Sequence, residues 1–487
     1  MFSPLIPEEV VRGNHAALQE RIEKAEKHIN QSNGGLPELS AAATFAAEYH
    51  SGIYASHELE ALFSRITPEF PPVKRSHNYS TPRVLLVMTQ DRGLRGPSMT
   101  VHRLPRLTGP SVEHTIVMTN QRVPAPIVPG TTQVVLTGTP MERIRKLQLI
   151  ASQHDAVIAA VNPADIVAAI ALANRPTDAP GVGFLNLAAQ THWVGSGAAD
   201  FVINHDEAST TIAANRRGFR RHALTELSIP VPHASQPAKT RQVMRAQLGI
   251  DEKSVVLFTS GPSAKFRPIE PGLGFLDLVT PVVARNKNTV LIAVGPGDDH
   301  AWSQAAKTTD GRIRSLPLGT HVHDVRRAAD VYVDPFPFSS STAAIEAGME
   351  GLPVVACSRY GDDRSRILIS GVITFAYQSP EPWKFQDQLQ YFIQEPSYRR
   401  SCGEATKIHL QSVHWGPRLE AQYRYLIDLL ASGPASTPIA DPMAPRFDVT
   451  DCLIAAFQHN RLVTRPEYSR DMALASATSC HDSIGTI

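Results

Sequence analysis

A chain of 487 residues that is 42% hydrophobic and 19% charged is long enough for two or three domains with ordinary cores. Its formal net charge of +1 supplies no long-range field to steer a polyanion and so gives no reason to expect a nucleic-acid or membrane-surface protein. No apolar run reaches the roughly 18 residues of a membrane span and no basic-then-apolar leader opens the sequence, so a cytoplasmic setting is expected.

Residues 1–80 are predicted to form a helical segment. Pro7, Glu8 and Glu9 open a stretch in which Val10, Val11, Leu18, Ile22, Ala25 and Ile29 recur at helical spacing, and Asn33, Gly34 and Gly35 stop it. Further helical regions are expected over 39–49 and 57–66, and none of them carries chemistry. From Arg83 the texture changes to short apolar runs of the type buried in parallel sheets: VLLVM from Val84, HTIVM from His114, QVVLT from Gln133, AVIAAV from Ala156, VGFLN from Val182 and DFVIN from Asp200. Helical pieces at 140–153 and 163–173 lie between them, which predicts a doubly wound unit over 81–235. Pro230, Pro232 and the polar run 234–239 read as a linker.

A second α/β unit is expected over 245–412, with strands SVVLFTS from Ser254, TVLIAVG from Thr289, RIRSLP from Arg312, DVYVDP from Asp330 and PVVACS from Pro353. Pro417, Leu419, Tyr423, Leu426, Ile427 and Leu430 then mark a closing helix over 413–432. The rest, 433–487, reads as a Pro/Ser-rich, partly mobile tail with one helix-like patch at 451–457. The four cysteines, Cys357, Cys402, Cys452 and Cys480, have neither metal-ligand nor redox spacing, which predicts reduced structural thiols.

Three pieces of the second unit carry the chemistry. DVYVDPFPFSSSTAAIEAGMEGLPVV, from Asp330, passes from a strand through a constrained turn into Ser339, Ser340, Ser341 and Thr342, which open an apolar helix. Unsatisfied N–H groups and the positive end of the helix dipole make such a turn an anion site, although an ordinary N-cap has the same composition. SGPSAKFRP, from Ser260, puts Lys265 and Arg267 in a loop at a strand's C-terminal end, where they can neutralise a diphosphate. LPLGTHVHDVRRAAD, from Leu316, offers a backbone that can pair with a base, and His321 or His323 to stack on it. Histidines two apart do not share a helix face and have no third ligand nearby, so no metal site is expected. Glu346 can accept from ribose hydroxyls, or complement the helix dipole. In the first unit, Arg92 and Arg95 in TQDRGLRGPS, followed by His102, are candidates for the acceptor side.

This order of lysine loop, strand, loop, hydroxyl turn, acidic residue and GLPVV resembles the nucleotide-sugar half of GT-B glycosyltransferases. It is most similar to the group of O-GlcNAc transferase and of the bacterial enzymes that glucosylate asparagine in adhesins. The resemblance runs over 254–366, with a weaker match at NLAAQTHWVGSGAADFVINHDEAS from Asn186. It implies an α/β fold of GT-B type: two doubly wound Rossmann-like domains facing across a cleft, preceded by the helical segment. It also implies that Lys265 meets the donor diphosphate, that Ser340, Ser341 and Thr342 meet the phosphates, that Glu346 meets the ribose, and that His192 stands beside the acceptor.

The implied reaction is transfer of a sugar from a nucleoside diphosphate, UDP-glucose or UDP-GlcNAc, to a hydroxyl or amide of a protein, peptide or glycan. Retaining GT-B enzymes carry two glutamates separated by seven residues on the donor helix; Phe338 stands eight before Glu346, which implies inversion. No obligatory cofactor or metal is implied, because Lys265 and oriented N–H groups can stabilise the leaving diphosphate. The long helical repeats of many protein-modifying members are absent from 1–80. A UDP-sugar 2-epimerase shares the two-domain architecture, and a non-catalytic partner-binding protein on a degenerate GT-B fold is the third reading.

Overall fold

The computed structural model describes residues 6–30, 35–66, 81–91, 93, 96–175, 179–231, 239–297, 299–317, 321–358, 376–433 and 441–464. The chain begins with α1 (Glu8–His28), α2 (Leu36–Glu48) and α3 (His57–Arg65). α1 has Glu8 and Glu9 in its first turn and Lys27 and His28 in its last, the distribution that complements the helix dipole. Its buried stripe of Val11, Leu18, Ile22 and Ala25 consists of four of the six positions spaced for a helix in the sequence. Apolar side chains of all three helices merge into the core on one face of the sheet that follows.

That sheet has seven parallel strands: β1 (Arg83–Met88), β2 (Glu113–Met118), β3 (Thr131–Val135), β4 (Ala156–Ala160), β5 (Gly181–Leu185), β6 (Phe201–Asn204) and β7 (Leu224–Glu226). Its helices are α4 (Gly96–Thr108), α5 (Pro140–Ala151), α6 (Ile166–Ala173) and α7 (Glu207–Arg217). The spatial order β3-β2-β1-β4-β5-β6-β7 is doubly wound, with its topological switch between β1 and β4. β1 shows why its residues read as a continuous apolar run. Leu85 and Val87 join the core against α5 and α6, whereas Val84, Leu86 and Met88 join the core on the opposite face.

The second sheet comprises β8 (Val255–Ser260), β9 (Thr289–Val294), β10 (Ile313–Leu316), β11 (Val331–Val333), β12 (Val354–Cys357) and β13 (Tyr377–Ser379), in the order β10-β9-β8-β11-β12-β13. It is flanked by α8 (Arg241–Gln247), α9 (Phe275–Arg285), α10 (His300–Thr308), α11 (Val322–Arg326), α12 (Ser341–Met349), α13 (Pro382–Gln394) and α14 (Pro396–His414). Its switch falls between β8 and β11, so the loops after these two strands border a crevice. The edge strands β7 and β13 have no signal in the sequence: LTE and YQS are short and largely polar, whereas the equally short β11, VYV, is apolar and buried throughout.

After the second sheet the chain returns to the first. α15 (Pro417–Ala431) buries Leu419, Tyr423, Leu426, Ile427 and Leu430 against the face of β1, β2 and β4. Gly181 permits that approach, since a Cβ there would stand 2.6 Å from the Leu430 carbonyl oxygen. Beyond it, α16 (Val449–Val463) wedges between the units. Leu453 and Ala456 pack with Ile269 and Phe338 of the second unit, Ile454 packs with Tyr54 and Ile212, and Cys452 and Ala455 pack with Val11. Fifteen residues of the segment expected to be a partly mobile tail therefore form a packed helix, which extends the helix-like patch expected at 451–457; residues 465–487 lie outside the described ones, as does most of the linker. Cys357, Cys402 and Cys452 are buried thiols, and among the described residues they form no disulfide. Among the described residues no helix is long and apolar enough to cross a membrane.

Candidate active site

The loop after β8 and the turn after β11 meet at the switch of the second sheet. A Cβ on Gly261 would stand 2.8 Å from Ser340 Oγ, so only glycine lets the lysine loop lie this close to the hydroxyl turn. Lys265 ends a single 3-10 turn, Ser263–Lys265, and its ammonium donates to the Ser339 carbonyl. The residue as a whole is only partly buried, but the ammonium is densely surrounded by protein. Burial lowers its pKa to about 8, with Asp334 opposing and Arg461 adding to the shift. Asp334 ends the strand region and accepts from the Ser340 N–H at 3.1 Å. Burial raises its carboxyl to about 6, against the pull of Ser339, Ser340 and Lys265.

α12 starts at Ser341, and Ser340, its N-cap, makes no side-chain capping bond. The first N–H groups of α12 thus lack the ordinary cap where Ser341 and Thr342 enter, beside Lys265. Glu346 lies in the middle of α12, not in its first turn, and the dipole reading of this residue does not apply. Its Oε1 accepts from Arg103 Nη2 at 2.7 Å and its Oε2 from Arg326 Nη1 at 3.2 Å. Burial pushes the carboxyl up, but Arg326 and Arg103 together hold it below its ordinary value. Arg326 also bonds Glu350 at 2.6 Å and His323 Nδ1 at 2.8 Å, so His323 belongs to this charged cluster. His321 is the N-cap residue of α11, and Arg267 follows Lys265 by two positions, its carbonyl facing Asn460 Nδ2 at 3.5 Å.

Across the crevice stands α4 of the first unit. A Cβ on its first residue, Gly96, would lie 3.6 Å from Thr342 Oγ1, and Arg103 on the same helix reaches Glu346. His102, next to Arg103, pairs through Nε2 with Asp91 Oδ2 at 2.6 Å. Asp91 is itself held by the Gly93 N–H at 2.9 Å and donates its own N–H to Gln121 at 2.7 Å. Arg92 and Arg95 lie outside the described residues. Among the described residues no group of three or more His, Cys, Asp or Glu side chains is placed to hold a metal ion.

His192 is set apart from this group. It is 1% exposed, and neither ring nitrogen has a hydrogen-bond partner. Burial, then the positive charge of Arg217 and the neighbouring His50, lower its pKa to about 3. Its surroundings join three parts of the chain: His50 Nε2 and Asp451 Oδ1 lie 2.8 Å apart, Arg216 also bonds Asp451, and the Arg217 guanidinium stands 4.7 Å from the Trp193 ring centroid. Of the residues expected from the sequence, the fold brings together Lys265, Ser340, Ser341, Thr342 and Glu346, with His102 on the opposing unit. The sequence pattern misses Asp91, Arg103, Arg326, Asp334 and Arg461. Asp334, at the end of the strand run DVYVD, is the one of these with a positional signal.

No protein-family model and no curated protein sequence matches the chain. Fold comparison gives extensive matches. A mutant of the O-GlcNAc transferase of Thermobaculum terrenum superposes with a TM-score of 0.54 at 15% identity, covering 85% of this chain and 82% of that one. HepE of Anabaena, in complex with UDP-glucose, superposes with a TM-score of 0.53 at 14% identity over 72% of this chain and 99% of its own. A glycosyltransferase from Rickettsia africae gives 0.52 at 8% identity over 73% and 99%. At such identities the similarity is one of architecture. Two doubly wound parallel sheets, a crevice at their switch points and a C-terminal helix that returns to the first sheet make this chain a member of the GT-B fold.

Proposed function

We propose that this chain is an inverting, metal-independent glycosyltransferase that moves a hexose from a UDP-sugar to a hydroxyl or amide acceptor. The observation that carries the reading is the meeting of the Lys265 ammonium with the uncapped start of α12 at the switch of the second sheet. An ammonium and oriented N–H groups converging on one point suit a diphosphate whose negative charge grows as it departs. HepE, of the same fold, binds UDP-glucose, which favours UDP in this reading.

In the reaction, the acceptor heteroatom forms a bond to the anomeric carbon while the bond from that carbon to the β-phosphate oxygen breaks. The electron pair leaves with UDP, and the acceptor proton passes to a base. His102 suits that role, because the Asp91 carboxylate fixes its ring and stabilises the imidazolium that forms. His192, with a pKa of about 3 and 1% exposure, is too weak a base to carry the proton and too deeply buried to touch an acceptor, so it is given no part in this step. Phe338, buried against Phe457 with ring centroids 4.3 Å apart, offers no carboxylate for a double displacement, in keeping with inversion. Ser340, Ser341 and Thr342 are assigned to the phosphates. Arg267, His321 and His323 are assigned to the donor nucleotide, and Glu346 to the ribose, where a hydroxyl would compete with Arg103 for Oε1.

A thermal-shift screen over UDP, GDP and their sugars tests the donor, because a ligand that binds only the folded state raises its stability. UDP is expected to raise the unfolding temperature more than GDP. No shift with any nucleotide would sink the assignment. NMR of UDP-glucose incubated with the protein and no acceptor separates transfer from epimerisation, which would appear as a second UDP-hexose.

A further inference from the structure

One amide side chain holds the backbone beneath the pair formed by Asp91 and His102. Gln121 lies just beyond β2; its Oε1 accepts from the Asp91 N–H at 2.7 Å, and its Nε2 donates to the Asp91 carbonyl at 3.0 Å. The same Nε2 also donates to the Val123 carbonyl at 2.8 Å. Only one orientation of the amide makes all three bonds, because a flip would set donor against donor and acceptor against acceptor. Gln121 therefore pairs with Asp91 as a neighbouring strand would, and fixes both peptide groups that flank its Cα.

With its backbone fixed, Asp91 keeps only its two side-chain torsions, and both oxygens are engaged. Oδ1 accepts from the Gly93 N–H at 2.9 Å, and Oδ2 faces His102 Nε2 at 2.6 Å. The residue is 1% exposed, which leaves the carboxylate little room to reorient. Bracing the loop after β2 does not require these bonds. Residues 122–129 contain Pro124, Pro126 and Pro129, and Gln133 of β3 holds them already, accepting from the Val128 N–H at 3.1 Å and donating to the Pro126 carbonyl at 2.9 Å. Two of the three bonds of Gln121 go to Asp91 instead. From Asp91 the chain leads into α4, which carries His102, Arg103 bonded to Glu346, and Gly96 beside Thr342.

We infer that Gln121 is a positioning residue for proton transfer: by fixing Asp91 it holds the His102 ring in one tautomer, with the proton on Nε2 and the lone pair on Nδ1. The inference rests on the reading of His102 as the base. In that reading the acceptor proton passes to Nδ1, and the Asp91 carboxylate, on the far side of the ring, stabilises the imidazolium that results. Gln121 touches neither substrate nor the reacting atoms and acts only through Asp91. A ring free to rotate or to change tautomer would present Nδ1 to the acceptor for part of the time only.

Two variants of the full chain test it. Gln121→Met removes all three bonds at similar volume, and Gln121→Glu keeps an acceptor for the Asp91 N–H but sets a carboxylate oxygen against the two carbonyls. The first readout is long-range ¹H–¹⁵N NMR of histidine-labelled protein in alkaline buffer, with His102→Ala identifying the signal. His102 is expected to show the Nε2–H tautomer alone in the wild type and a mixture in both variants. The second readout is UDP release from UDP-glucose, with water as the acceptor. Each variant should lower kcat roughly tenfold or more while keeping the UDP thermal shift. In the His102→Ala background the further loss should stay under about twofold, because the two residues act as one unit. An unchanged tautomer, an equal fractional loss of kcat with and without His102, or failure of both variants to fold makes Gln121 a structural brace and overturns the inference. Where UDP release is too slow to measure, the tautomer alone decides. A tautomer that depends on Gln121 in a protein whose kcat is indifferent to His102→Ala would keep the hold of Gln121 on the pair and overturn the base reading instead.

Discussion

Lys265 is the residue on which the donor site turns, and its environment makes two separate predictions. Removing one preorganised donor from a developing anion costs about two to three orders of magnitude in turnover. Lys265→Ala should therefore lower kcat by roughly 10²- to 10³-fold in a UDP-hexose transfer assay, with near-wild-type turnover in folded protein ruling the lysine out. Its pKa, lowered from 10.5 to about 8, sets the direction of a pH effect. The ammonium is charged below about 8 and neutral above, so the UDP dissociation constant should stay level from pH 7 to 8 and rise beyond it, by up to ~10-fold per unit. Titration calorimetry across that range would show it, and a flat profile would dissociate Lys265 from the diphosphate. On the first unit, the pairing of His102 with Asp91 predicts that His102→Ala lowers kcat by ~10²-fold or more with UDP affinity intact. Equal loss of UDP affinity would instead make His102 part of the donor site.

At the scale of elements, α4 and α12 are coupled across the crevice through Arg103 and Glu346. Arg103 is 3% exposed and also donates to the Pro230 carbonyl at 3.0 Å, so the pair sits where the first unit hands over to the linker. A buried ion pair is poor evidence for stability as such, but removing one partner leaves the other uncompensated. A double-mutant cycle of Arg103→Ala and Glu346→Ala, read in thermal unfolding with and without UDP, should give a coupling of about 1–3 kcal/mol in the free protein. If Glu346 exchanges Arg103 for a ribose hydroxyl, the coupling shrinks with UDP bound; a coupling that is unchanged places the pair outside donor binding. The sequence contains both residues, but their partnership spans 243 positions, and no periodicity can report a contact of that range.

For the whole molecule, α16 is what holds three parts of the chain together. Leu453, Ile454 and Ala456 bury against the second unit and against Tyr54 and Ile212, while the fully buried Asp451 bonds His50 and Arg216. Deleting 447–487 would expose those partners and strand the Arg216 guanidinium. Each large apolar side chain contributes about 1.5–3 kcal/mol, so a loss of roughly 5 kcal/mol is expected, read as a lower denaturant midpoint. An unchanged midpoint would show that α16 docks without stabilising the fold.

What the sequence determined by itself was local. Apolar runs bounded by Gly and Pro marked β1, β8, β9 and β12, because a strand buried on both faces must be apolar at every position. The small residues of SGPSAK and SSST marked the donor turn, because a backbone that binds an anion leaves no room for bulk. Only the tertiary structure decided the rest. It set His192 in a sealed interior, gave His102 its Asp91 and Glu346 its two arginines, and packed part of an expected tail as a buried helix. Each of these depends on side chains distant in sequence or on a packing environment that composition does not encode. Burial and charge pairing, which set the pKa values of the site, are properties of the folded surroundings rather than of the residue.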